Sequence, residues 1–136
     1  MSSDQPSEKP SSAFLRMRLR ADDTHYAGGT IPGATYLAFM ADACAMLMIL
    51  RGEPAGFLAR WESADFSTPC NVGDYIEVRC TLVRVGNRSR RLEAEVVRLV
   101  RTSVTAGETS VGEVPDPPDI VARGTYVGVI PRNQAS

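Results

Sequence analysis

Between Gly33 and Leu50 the chain reads GATYLAFMADACAMLMIL, and the one charged residue in it is Asp42. A carboxylate carried into an apolar interior is costly unless something compensates it. Asp42 can pair with one of the arginines, reach solvent, or act as a base or as the anionic partner of a cation. The segment follows a loop containing Gly28, Gly29, Pro32 and Gly33. A helix starting near Ala34 presents N–H groups that lack intrahelical acceptors, and its dipole favours negative charge at that end. Glycine also permits close backbone approach, so Gly28, Gly29, Gly33 and Ala34 can cradle a polarised oxygen or simply turn the chain. His25, the only histidine, stands beside Tyr26 in the same loop. An imidazole that titrates near neutrality can carry a proton, and Tyr26 can donate a hydrogen bond, although a loop histidine as readily caps or packs.

Other chemistries lack their residues. The three cysteines, Cys44, Cys70 and Cys80, form no C-x-x-C pair. With a single histidine they supply neither a zinc site nor a disulfide framework, so no metal is expected and the thiols read as small core residues. The 136 residues are 43% hydrophobic and 23% charged, the balance of one globular domain with one core. A formal net charge of −1 argues against nucleic acid as a partner. The N-terminus has no basic region followed by an apolar stretch, and the apolar run is shorter than the roughly 20 residues needed to span a bilayer. These features predict a cytoplasmic protein without a membrane partner.

The elements that must position these residues follow from the pattern. Residues 1–12 carry no large apolar side chain beyond Met1, and two prolines, which predicts a disordered tail ahead of a single domain over 13–131 and a short tail over 132–136. Leu15, Met17 and Leu19 alternate with Arg16, Arg18 and Arg20, the period of a half-buried strand. The Ala-, Leu- and Met-rich run from Gly33 to Leu50 predicts a helix, and its lack of a polar face predicts one wrapped by other structure. Strands are predicted over Leu58 to Phe66, Tyr75 to Val85, Arg91 to Val100 and Ile120 to Ile130, with Gly86-Asn87 as a hairpin turn. Residues 102–119 read as a long polar loop. One apolar helix and a meander of antiparallel strands give an α+β fold in which the sheet curls around the helix.

That order of elements resembles the hotdog fold of acyl-thioester enzymes. The segment from Phe66 to Glu77, FSTPCNVGDYIE, is similar to an F-x-x-P-x-x-x-G-D-x-I-x strand entry shared widely in that fold. Two further segments, His25-Tyr26-Ala27-Gly28-Gly29 leading into Gly33-Ala34 with Asp42 beyond, and the hairpin from Val85 to Arg90, narrow the likeness. Together they resemble the 3-aminobutyryl-CoA and beta-alanyl-CoA ammonia lyase family over residues 13–130.

The resemblance implies a homodimer or a multiple of dimers, a small acyl-CoA thioester as substrate, and reversible loss of ammonia from its β carbon. No cofactor is implied beyond the coenzyme A of the substrate. Such an elimination needs a base for the α proton and donors for the developing enolate oxygen. Asp42 and His25 are then the catalytic candidates, and Gly28, Gly29, Gly33 and Ala34 the thioester-binding ones. Tyr26, Arg88 and Arg90 are possible substrate contacts, since an arginine fork suits coenzyme A phosphates, while solvated hairpin charge is the plainer account. Asp42 lies about 13 Å along the helix from Gly33, at roughly 1.5 Å per residue. Groups so far apart meet one substrate only if they come from two subunits with antiparallel helices. Fold alone leaves a thioesterase, an enoyl-CoA hydratase and a non-catalytic thioester-binding protein as alternatives.

Overall fold

The computed structural model describes residues 8–24, 29–104 and 109–132. Strand β1 (Ser12–Arg18) is followed by helix α1 (Gly33–Leu50), whose bounds are those of the proline-free run. Then come β2 (Phe57–Phe66), β3 (Tyr75–Val85), β4 (Ser89–Val104), β5 (Ser110–Glu113) and β6 (Asp119–Val129). The sheet is antiparallel in the order β1-β3-β4-β6-β2, and β5 pairs only with the far end of β4. Gly86 N–H donates to the Ser89 carbonyl at 2.8 Å, closing the β3–β4 hairpin where Gly86-Asn87 predicts it.

One face of the sheet carries Ile76, Val78, Cys80, Leu92, Ala94, Val96, Ala122 and Tyr126. Against it pack Tyr36, Met40, Ala43, Cys44, Leu47 and Met48 of α1. Each large side chain buried in this way contributes about 1.5–3 kcal/mol.

Two expectations change here. The helix is not covered on every face by its own chain: Ala34, Ala38, Asp42, Ile49 and Leu50 are exposed. A single curved sheet reaches one side of a cylinder, so Asp42 is not a buried carboxylate in the protomer. Residues 102–119 are not a plain loop either. β4 continues to Val104 and β5 returns along it, with Arg101 opposite Glu113 and Ser103 opposite Val111. Ser110–Glu113 is too short and polar to show a period in the sequence; the free backbone groups of the β4 extension place it. Of the expected tail over 1–12, residues 1–7 lie outside the described residues, whereas Ser12 opens β1 and the Pro10 carbonyl accepts from Arg51 Nη1 at 2.8 Å.

Two carboxylates staple separate elements. Glu53, just past α1, accepts from Arg90 of β4 at 2.9 Å, Arg51 at 3.2 Å and Lys9 at 3.4 Å. On the sheet face away from α1, Glu77 of β3 lies between Arg16 of β1 at 2.7 Å and Arg79. Burial pushes both carboxyls up, but the bonds and charges of these arginines outweigh it and hold both below the ordinary glutamate value of 4.5. A carboxylate with a lowered folded-state pKa stabilises fully above its unfolded pKa and loses that contribution as pH falls through the folded value. The thermal midpoint should therefore drop on the acid side of the ordinary glutamate value, in unfolding curves taken between about pH 6 and pH 3. Glu53→Gln should flatten that drop and cost about 1–3 kcal/mol near pH 6, because Arg90 is left without its counter-ion.

Candidate active site

The first turn of α1 stands on a short backbone pairing. Ile31 N–H donates to the Cys70 carbonyl at 3.0 Å and Val72 N–H to the Gly29 carbonyl at 2.8 Å. Thr30 and Asn71 form a bridge between them. Gly29 has φ of +79°, which a side chain disfavours. Pro32 occupies the N-cap without a side chain able to cap, and the N–H groups of Gly33 and Ala34 have no acceptor among the described residues. Two donors at a positive dipole end are thus left open.

Phe66, the last residue of β2, borders this turn. A Cβ on Gly33 would lie 3.2 Å from its ring, so the bare α carbon is what lets the ring approach. The ring itself is half exposed. Asp42 follows Ala34 and Ala38 on the same exposed line of the helix, at i, i+4 and i+8. It has no hydrogen bond or ion pair among the described residues. The structure therefore places Gly33 and Ala34 at the open helix end, leaves Gly29 in the backbone pairing that leads up to it, and puts Asp42 on the same open face of the helix as Ala34, about 12 Å further along.

His25, Tyr26 and Gly28 lie outside the described residues. Their flanks, Thr24 and Thr30, are joined by the Thr24 hydroxyl donating to the Thr30 carbonyl. The two arginines are corrected in part. Arg90 is not free for a substrate, because its guanidinium is bound to Glu53 and to the carbonyls of Gly86 and Ser89. Arg88 is half-buried at the hairpin tip, and its carbonyl accepts Ile130 N–H.

The residues missed in the sequence are Phe66, Asp74 and Arg98. The first two stand inside the F-x-x-P-x-x-x-G-D segment, where they read as fold alone, and Arg98 showed only as one arginine interrupting the apolar run VVRLV. Among the described residues no three metal-ligating side chains converge. An open depression of about 570 Å³, lined by Ser63, Asp65, Arg79, Glu95 and Arg123, lies on the sheet face opposite α1, and its charges are largely paired with one another.

Residues 28–106 match the family described as the Thioesterase superfamily. A 3-aminobutyryl-CoA ammonia lyase from Acetoanaerobium sticklandii is 32% identical over 124 residues, covering 90% of this chain and 96% of that protein. Among solved structures, beta-alanyl-CoA:ammonia lyase from Clostridium propionicum superposes with a TM-score of 0.82 at 20% identity, over 91% of this chain and 87% of that one. An acyl-CoA hydrolase from Staphylococcus aureus in complex with butyryl coenzyme A superposes with a TM-score of 0.67 at 16% identity, over 92% and 66%. These two structural likenesses establish the hotdog fold, and the matched family together with the near full-length identity establishes the lineage. The chain belongs to the thioesterase superfamily and, within it, to the family of the 3-aminobutyryl-CoA ammonia lyase.

Proposed function

We propose that the protein eliminates ammonia, reversibly, from a small 3-aminoacyl-CoA thioester to give the enoyl-CoA. The observation that carries this reading is the 32% identity to a 3-aminobutyryl-CoA ammonia lyase across almost the whole of both chains. The open donors at Gly33 and Ala34 and the unpaired carboxylate of Asp42 supply the two functions the chemistry requires.

In this reading the thioester oxygen accepts from the N–H groups of Gly33 and Ala34, which stabilise the charge it gains as the α proton leaves. The Asp42 carboxylate faces the β-ammonium and then takes that proton, becoming neutral as it does so. The C–N bond then breaks with its electron pair going to nitrogen, ammonia departs, and the enoyl double bond forms. A protonated amine leaves as a neutral molecule, so no strong separate acid is needed. His25 remains the second candidate for proton transfer. The protein acts without a metal or added cofactor, in the cytoplasm, with no nucleic acid or membrane partner.

The separation of Asp42 from Ala34 along one helix requires two subunits, with α1 antiparallel across the interface. Two further features support a dimer. The exposed line of α1 is apolar apart from Asp42, and β2 is a ten-residue edge strand with an unpaired outer side. Phe57 at 68% and Leu58 at 40% exposure make that edge unsuited to water.

Equilibrium sedimentation should give a dimer or a multiple of dimers, and a stable active monomer would overturn the shared site. Mixing the protein with crotonyl-CoA and ammonium should consume the enoyl absorbance, with no loss on adding a chelator. Hydrolysis of saturated acyl-CoA without ammonium addition would instead identify a thioesterase. Asp42→Asn should lower turnover by about 10²- to 10⁴-fold. Because Asp42 is exposed and unpaired in the protomer, its melting temperature should stay close to that of the parent. Near-normal turnover would remove Asp42 from the mechanism.

A further inference from the structure

Asp74 and Arg98 are buried on the helix side of the sheet and use every polar group they have. The Asp74 carboxylate accepts Asn71 N–H at 3.0 Å through Oδ2 and Thr102 N–H at 3.0 Å through Oδ1. Arg98 Nη1 reaches both Asp74 Oδ2 and the Pro69 carbonyl at 3.3 Å, while Nε and Nη2 donate to Asp119 at 3.0 and 2.7 Å. The turn over residues 69–74 is thus bound to β4 at its start, through Pro69, and at its end, through Asp74, which also holds Asn71 in its middle. That same turn carries the backbone pairing to residues 29–31, and Cys70 N–H donates to the Tyr36 hydroxyl at 3.1 Å, in the first turns of α1. A continuous chain of hydrogen bonds therefore leads from Arg98 to Asp74, through the turn, to the residues immediately before the open N–H groups.

We infer that Arg98 and Asp74 are positioning residues: through the 69–74 turn they set where the Gly33 and Ala34 N–H groups stand, and hence the polarisation of the substrate carbonyl. Among the described residues no side chain caps this helix start, since Pro32 has no capping side chain and Gly33 brings no side chain of its own. The described supports of the turn at Gly33 include the pairing to 70–72, the Tyr36 hydroxyl, the Phe66 ring, the bond from the Thr35 hydroxyl to the Asp23 carbonyl at 3.0 Å and that from the Thr24 hydroxyl to the Thr30 carbonyl. Two of these hang from the clamped turn. An oxyanion donor acts by being in place beforehand, so a displacement of a fraction of an ångström at Gly33 is felt in the chemical step more than in binding.

This inference rests on the proposed thioester chemistry but not on ammonia being the leaving group. Arg98→Lys keeps the charge between Asp74 and Asp119 and loses the fork that also holds Pro69. Tyr36→Phe removes the second tie at Cys70. Asp119→Asn, which leaves the bonds to Asp74 and Pro69 in place, is the control. The backbone amide resonances of Gly33 and Ala34 should shift in Arg98→Lys and Tyr36→Phe and stay in Asp119→Asn, a measurement that needs no turnover. In both clamp variants kcat should fall about 10- to 100-fold with KM within about threefold, read on whichever thioester reaction the parent catalyses. Unmoved Gly33 and Ala34 resonances would overturn the inference, as would a kcat loss that only tracks the folded fraction measured by calorimetry. If Arg98→Lys does not fold, Tyr36→Phe carries the test alone with the same two outcomes. A parent that hydrolyses thioesters without adding ammonium would refute the lyase reading and leave the positioning test intact.

Discussion

Six side chains of α1, from Tyr36 to Met48, lie under the sheet at 3% exposure or less, and that packing fixes how the helix lies on the sheet. An eighteen-residue helix of this composition holds its direction through burial and only weakly through propensity. Because the contacts all lie on one side, Ala34, Ala38 and Asp42 stay outside the core on a common line. A helix covered on every face could not offer its N–H groups or its carboxylate to a substrate. A helix without the sheet could not keep them in place. One-sided burial satisfies both demands and leaves an apolar face that a second subunit can cover.

Arginine does the electrostatic work of the scaffold. Glu53 is held by Arg90 and Arg51, Glu77 by Arg16 and Arg79, and Asp74 by Arg98, which also binds Asp119. Each of these carboxylates has at least one arginine from a segment distant in sequence, and each cation sits on a carboxylate of the same chain. The basic content of the protein is therefore largely consumed inside the fold, in keeping with a net charge of −1. Such pairs add little over a well-packed apolar core, but removing one partner strands a charge, which makes them specific fasteners. The fold thus has fasteners at opposite ends: Glu53 where α1 finishes, and Asp74 with Arg98 behind the place where it starts.

The same framework serves hydrolysis and elimination because both begin by polarising a thioester carbonyl. What separates the two reactions is where the carboxylate stands relative to the acyl chain, and therefore which atom it reaches. In the proposed dimer that placement depends on how two helices lie across the interface. Under the proposed reading the site is a property of the assembly, and a single chain presents its two halves on one open face.

Local patterning determined most of the framework. The proline-free run beginning at Gly33 sets the bounds of α1, and the alternation in β1 and β3 with Gly86-Asn87 between β3 and β4 sets the meander, because period and turn chemistry are short-range properties. The segment from Phe66 to Glu77 carried the fold, and the stretch from His25 to Asp42 together with the Val85 to Arg90 hairpin carried the family. β5 was hidden, since four residues with a single apolar one, Val111, have no period and are placed only by the free edge of β4. The exposure of Asp42 was hidden because an apolar composition on all sides of a helix does not say which chain covers each side. Arg90 read as a free cation until Glu53, 37 residues away, was seen beside it, and Arg98 was unremarkable until Asp74 and Asp119 converged on its guanidinium. Composition and spacing act along the chain, and so they reveal elements and candidate groups. Burial and charge pairing act through space, and only the tertiary structure decided which of those groups are fastened inside the fold and which stand open for chemistry.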